Sequence, residues 1–370
     1  MRILFWSELF WPYAGGPELL GARLIRALAS RGYDFTVVTS HDYLELPDEA
    51  HYNGIPVYRF PFRAAVANAD IRQLINVRQD IGRLKRVLAP HLIHINALGP
   101  SALFTGPTGG ADGPQLLVTL HTLHGQLENA RNAGPDTLLK KTLGSAVWVT
   151  CVSEAVLDDA RRQVPEITAS SSVIYNGLEE PDIALKPLPF ATPRLLCLGR
   201  LVAAKGFDLA LNAFAKLIDR FPLARLVIAG DGPMRQALQE QAYRLGLNNQ
   251  VEFAGWIAPQ KVRELINTAT AVVMPSRREG LPLVGIEAAQ MARPVVATHV
   301  GGLPELIVHE RTGLIVEKEN VEGLTQAIAF LLDHPQQASR MGEAARHRAR
   351  ELFSLSSCID AYDTIYRKLA

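Results

Sequence analysis

The chain has only three cysteines, and Cys151, Cys197 and Cys358 stand too far apart to form a C-x-x-C pair. That spacing suggests neither a zinc site nor a disulfide framework, and a reducing compartment is expected. Charge excess is also missing, since 38 Lys and Arg face 37 Asp and Glu for a formal net charge of +1. A general nucleic-acid binder would carry a basic surplus, so no nucleic-acid partner is expected. The longest stretch free of Asp, Glu, Lys and Arg, from Val87 to Ala111, is interrupted by Pro90, Gly99, Pro100, Gly106 and Pro107. It cannot form a membrane-spanning helix. The opening MRILFW lacks the basic start, apolar core and cleavage site of a secretory leader, and a cytoplasmic protein is expected. There is no G-x-G-x-x-G, which removes the fingerprint of a NAD-dependent dehydrogenase. D-x-D is absent too, so neither a metal nor another cofactor is expected.

What is present is an alternation of short apolar runs and helical patterns across 370 residues, 48% of them apolar. That is enough chain for two α/β domains with separate cores. Ile3 to Trp6, a helix from about Pro17 to Ser30, and Val37 to Thr39 make a first βαβ unit and hence a parallel sheet. Its loop, W-P-Y-A-G-G-P-E, holds Gly15 and Gly16. Such a pair serves either a tight turn with φ > 0 or the close approach of backbone to a ligand.

Phe62 to Pro90 reads as helical and mildly basic, with Arg63, Arg72, Arg78, Arg83, Lys85 and Arg86 against Asp70 and Asp80. Such a run is a solvated face or lies on an anionic membrane. Leu92 to Ile95 and Gln115 to Leu120 are the next strands, the second ending in His121. At the carboxyl end of a parallel strand a side chain points into the ligand crevice, and histidine can donate, accept or carry charge near neutral pH. The other reading of His121 is a satisfied structural histidine. His124 and His299 read as surface or loop residues.

Val147 to Val152 and Val173 to Gly177 close the first half, and Pro181, Pro187, Pro189 and Pro193 stiffen a linker. Domains are therefore expected at 1–178 and 194–350, joined by 179–193, with a terminal amphipathic helix over 351–370. The second domain opens with Leu195 to Leu198 and the loop G-R-L-V-A-A-K-G, in which Arg200 and Lys205 could meet a diphosphate, one bidentately and one as a point charge. A helix over about 207–221 follows, then strands at Leu226 to Ala229 and Val251 to Trp256.

The stretch from Pro275 to Pro304 carries two carboxylates, Glu279 in a loop and Glu287 inside a helix starting near Pro282. Glu287 lies roughly 7 Å along that helix from its start. A diphosphate would fill the gap, facing the positive helix end and the N–H groups of Leu281, Leu283 and Val284. Glu287 would then suit a ribose and Glu279 a transferred sugar. Taken singly, each is also an ordinary surface acid near a helix start.

E-G-L-P-L-V-G-I-E-A followed by R-P-V-V-A-T-H-V-G-G-L-P-E-L-I resembles the E-x7-E signature of retaining glycosyltransferases of the GT-B fold, family 4. The resemblance runs from about Ile3 to Tyr366 and is loosest between Ser40 and Pro114. It implies two Rossmann-like, doubly wound parallel-sheet α/β domains facing a central cleft, with the terminal helix crossing back to the first. It also implies transfer of a hexose-type sugar, with retention and without metal, from a UDP- or GDP-linked donor to a hydroxyl of a glycan, lipid or small molecule.

By resemblance Gly16 faces the donor phosphates and acceptor, Arg200 and Lys205 clamp the diphosphate, and the loop at Gly230 lines the nucleotide pocket. Backbone near Ile257 holds the base, Gly280, Leu281, Leu283 and Val284 border the donor, and His121 serves the reacting centre. His94 matches a family H-x-H pattern in part, Asn96 replacing its second histidine. No carboxylate of the first domain stands out as a nucleophile, so front-face internal return is expected. Some lipid-glycosylating relatives use a basic helix on the inner membrane face, a role open to residues 63–86. A GT-B epimerase or hydrolase and a non-catalytic nucleotide-sugar binding protein are the alternatives.

Overall fold

The computed structural model describes residues 1–41, 44–106, 113–123 and 137–370; His124 lies outside them. The chain divides into two compact units, residues 1–175 with 358–370, and residues 176–357.

The first unit is built on eight strands: β1 (Arg2–Ser7), β2 (Asp34–Ser40), β3 (Glu49–Tyr52), β4 (Ile55–Phe60), β5 (Leu92–Asn96), β6 (Gln115–Leu120), β7 (Trp148–Cys151) and β8 (Ser171–Val173). Their order is β3-β4-β2-β1-β5-β6-β7-β8. All pairs are parallel except β3 with β4. That antiparallel edge was not read from the sequence, although Asn53 and Gly54, both at positive φ (48° and 82°), form the two-residue turn that such a hairpin requires. The central strands are buried on both faces, as a covered parallel sheet demands.

The segment read as one helix over 62–90 is two, Phe62–Ala67 and Ile71–Leu88. Ala69 turns left-handed, and the Asp70 carboxylate caps the second helix by accepting from the Arg72 and Gln73 N–H groups. The last helix, Leu355–Lys368, contributes Tyr362 and Tyr366 to the core of the first unit. The Tyr366 hydroxyl lies 2.6 Å from His94 Nδ1, and Thr119 Oγ1 lies 2.8 Å from His94 Nε2. His94, 0% exposed and pushed down to a pKa of about 3 by burial, is a core histidine.

The second unit holds six strands: β9 (Arg194–Leu198), β10 (Arg225–Ala229), β11 (Val251–Gly255), β12 (Ala271–Met274), β13 (Val295–Thr298) and β14 (Gly313–Val316). Their order is β11-β10-β9-β12-β13-β14, wholly parallel. Its core packs Leu195, Phe207, Phe214, Ile228, Val273 and Leu331 among others. The helix placed over 207–221 stops at Ala215, and Lys216 to Arg220 continue as turns.

Both sheets are wound outward and then return to the middle, so strand order reverses between β1 and β5 in one and between β9 and β12 in the other. Crevices at the carboxyl ends of such strand pairs are where open α/β sheets bind ligands. Among the described residues no helix is long and apolar enough to cross a membrane.

Candidate active site

In the second unit the reversal brings together two loops far apart in sequence, the one after β9 and the one after β12. Lys205, in the short turn Ala203–Lys205, donates from Nζ to Glu279 Oε1 at 2.7 Å. Ser276 Oγ donates to the same oxygen, also at 2.7 Å. Glu279 is 7% exposed, so it lies in a loop as read, but as a buried, paired carboxylate and not as an ordinary surface acid.

Two glycines make this approach sterically possible. Gly206 has φ +64°, and a Cβ there would stand 1.9 Å from the Pro275 carbonyl oxygen. At Gly301, φ +51°, a Cβ would stand 1.9 Å from the carbonyl oxygen of Glu279 itself. Only glycine fits either position.

Arg277 was not singled out in the sequence, yet it ties the two loops into one body. Its N–H bonds to Ala204 O, and its guanidinium bonds to Ala203 O, to both oxygens of Asp208 (2.7 and 2.8 Å) and to Glu319. Those carboxylates raise its pKa further above the ordinary arginine value, the Asp208 hydrogen bonds foremost.

Arg200, at the start of the same loop, is exposed and makes no ion pair among the described residues. It is a cation left available to an incoming anion. The helix Leu283–Gln290 begins at Pro282, and its Gly285 N–H already bonds to Pro282 O. The Leu281, Leu283 and Val284 N–H groups have no backbone acceptor among the described residues. Gly280 accepts from the Gly302 N–H. Glu287, half-buried, lies on the second turn of this helix. Gly230 follows β10 and donates to Gly255 O, and Ile257 is half-buried just beyond β11.

In the first unit, Gly16 is the first residue of the helix Gly16–Ala29, with Gly15 as its cap. Gly15 has φ −78° and Gly16 is not among the positive-φ glycines, so no left-handed turn calls for either. His121 follows β6 directly, beside Asn96 at the end of β5; its Nε2 lies 2.8 Å from Asn96 Oδ1. Desolvation pushes its pKa down to about 4. Of the three capacities of a histidine, that shift favours the neutral donor and acceptor over the charged form.

One carboxylate in this unit escaped notice. Glu8, just past β1, accepts the Ser101 N–H on Oε1 at 2.6 Å, while Oε2 is buried without a hydrogen bond and burial raises the pKa. Turned inward this way, Glu8 anchors the turn at Ser101.

Comparison with known proteins gives two family models that divide the chain between them: "Glycosyltransferase Family 4" over residues 14–180 and "Glycosyl transferases group 1" over residues 186–348. A GDP-mannose-dependent alpha-(1-6)-phosphatidylinositol monomannoside mannosyltransferase of Mycobacterium tuberculosis is 35% identical over 379 residues, covering 93% of this chain and 92% of that one. An alpha-D-kanosaminyltransferase of Streptomyces kanamyceticus is 35% identical over 177 residues, 48% of this chain and 46% of that protein. The chain thus spans about half the length of several curated relatives that it matches. Among solved structures, a sucrose-phosphate synthase from Thermosynechococcus elongatus superposes with a TM-score of 0.85 at 23% identity, over 100% of this chain and 99% of that one.

Proposed function

The chain belongs to family 4 of the GT-B glycosyltransferases, and from that premise we propose that it transfers a hexose-type sugar from a nucleoside-diphosphate donor to a hydroxyl acceptor. The observation that carries this reading is the joined pair of loops in the second unit. They hold an ammonium, a free guanidinium and a helix N-terminus at the point where the strand order reverses.

Transfer requires a diphosphate to leave while positive charge builds on the sugar carbon. Lys205, Arg200 and the N–H groups of Leu281, Leu283 and Val284 supply preorganised positive potential for the departing oxygens. Glu279 orients the ammonium through Oε1, leaving Oε2 for a hydroxyl of the donor sugar. Glu287 takes the ribose hydroxyls, the loops at Gly230 and Ile257 border the nucleoside, and Gly16 borders the phosphates. His121, being neutral, offers a hydrogen bond at the reacting centre without carrying a charge. These groups stabilise a leaving diphosphate without needing a metal ion, and the retaining course by front-face return follows the family expectation. Loss of turnover through a covalent glycosyl-enzyme trapped on any carboxylate would overturn that course.

The mycobacterial relative is GDP-mannose-dependent by name, so GDP-mannose is the first donor to assay, with UDP-sugars beside it. The helix Ile71–Leu88 supports peripheral contact with an anionic, cytoplasm-facing membrane. It exposes Ile71, Ile75 and Val87 beside Arg72, Arg78, Arg83 and Arg86.

Calorimetric titration of UDP, GDP, ADP and TDP into wild type and Glu287→Ala, without added metal, tests the donor site. One nucleotide should bind tightly and be weakened by the substitution. Binding of none would sink the reading and favour an interaction protein.

A further inference from the structure

We propose that Asn96 is a positioning residue that fixes the tautomer of His121, so that the imidazole presents Nδ1 as a hydrogen-bond acceptor to a sugar or acceptor hydroxyl. The role given to Nδ1 rests on the transferase reading above. The proton on Nε2 rests on hydrogen-bond logic within the first unit, and the bare Nδ1 on that logic together with desolvation.

An amide side chain has one end that donates and one that accepts. Asn96 is 2% exposed, and its Nδ2 lies 3.2 Å from the carbonyl oxygen of Pro17. A carbonyl only accepts, so the amino end of Asn96 must face it. The chain makes room for that end with Gly21, where a Cβ would stand 2.9 Å from Asn96 Nδ2. The other end, Oδ1, therefore faces His121 Nε2 at 2.8 Å. Oδ1 cannot donate, so Nε2 must carry the hydrogen.

A second proton on Nδ1 would make the ring cationic, and desolvation opposes this at neutral pH. The titratable group coupled to His121 is His94 on β5, whose two ring nitrogens are taken by Tyr366 and Thr119. Among the described residues nothing donates to His121 Nδ1. The neutral ring is left with one lone pair at that nitrogen, suited to receive an O–H and unable to donate to a phosphate oxygen.

Sequence logic runs the same way. The asparagine that interrupts the H-x-H pattern has one donor and one acceptor end, and each meets its complement: the Pro17 carbonyl and the His121 N–H.

The test is nitrogen NMR of the labelled imidazole rings in the full chain, alongside turnover, for wild type, Asn96→Ala and Asn96→Asp. Spectra are taken at about pH 8, above the unperturbed histidine value. Wild type should show protonated Nε2 and bare Nδ1. Asn96→Asp keeps an acceptor toward Nε2 but loses the donor to the Pro17 carbonyl, so it should keep that tautomer and most of the activity at reduced stability. Asn96→Ala should mix the tautomers and lower kcat about 10- to 100-fold, by analogy with the loss of outer partners that orient a metal-ligating histidine.

A wild-type ring protonated on Nδ1 overturns the proposal. So does an Asn96→Ala protein that keeps both the tautomer and the rate. If wild type shows the predicted tautomer but transfers no sugar from any nucleotide donor, the transferase reading fails and the lock stands. Should the alanine variant fold poorly, an Asn96→Asp ring protonated on Nδ1 overturns the proposal as well.

Discussion

Lys205 Nζ and Glu279 Oε1 lie 2.7 Å apart although 74 residues separate them, and they are in contact because β9 and β12 are neighbours in the sheet. Either substitution, Lys205→Ala or Glu279→Gln, should lower kcat by about 10²- to 10³-fold, the loss typical of one preorganised electrostatic partner. The double variant should be little worse than the poorer single one, because the two act as a unit. Steady-state kinetics of the three proteins check this. Additive losses would mean the residues work independently.

Arg277→Ala should unfasten the loop after β9 from the loop after β12. Lys205 would then lose its fixed position, and kcat should fall while the melting temperature drops only modestly, since the guanidinium is about a quarter exposed. An unchanged kcat would sever the link between this latch and the site.

Gly301→Ala should cost about 1–3 kcal/mol from backbone strain alone, with the overlap against Glu279 O added to it. Gly302→Ala serves as the control, since Gly302 has φ −80°. Thermal melts of the pair distinguish the two sites. Equal losses would contradict the assignment.

Stability should fall on acidification in two overlapping stages. His94 and His121 have folded pKa values of about 3 and about 4, below the unfolded value of about 6.5. Between those limits the unfolded chain binds protons that the native one refuses, so stability declines as pH drops through that window. Asp363 is held down to about 2, first by the Tyr33 hydroxyl and then by Arg367 and Arg31. Its contribution is present above about pH 3.9 and is lost only as pH falls toward 2. Melts across pH should show a shallower first stage in His121→Gln and a shallower second one in Asp363→Asn.

Much of this architecture was legible because the strands are apolar runs bounded by glycine and proline, and Leu92 to Ile95 or Gln115 to Leu120 fall within a residue of the observed strands. The loop after β9 and the E-x7-E stretch were legible as local strings. What was not legible was long-range. Nothing local to Glu279 tells of Lys205, nothing near Arg277 tells of Asp208 and Glu319, and Asn96 reads as a departure from a pattern until Pro17 and His121 flank it. The hairpin at Asn53 and Gly54 did leave a local trace, whereas the break at Ala69 is marked only by Asp70 as a capping residue.

Tyr366 closes the hydrogen bonding of His94, and the two are 272 residues apart. During synthesis, residues 1–175 leave the ribosome long before Tyr366 exists, and domains made first ordinarily begin to fold first. The early unit must therefore wait with the Nδ1 side of His94 unanswered in its middle strand while all of residues 176–357 are made. A segment made after residues 176–357 completes the half made before them, so a nascent chain stalled early in the second unit holds two unfinished cores.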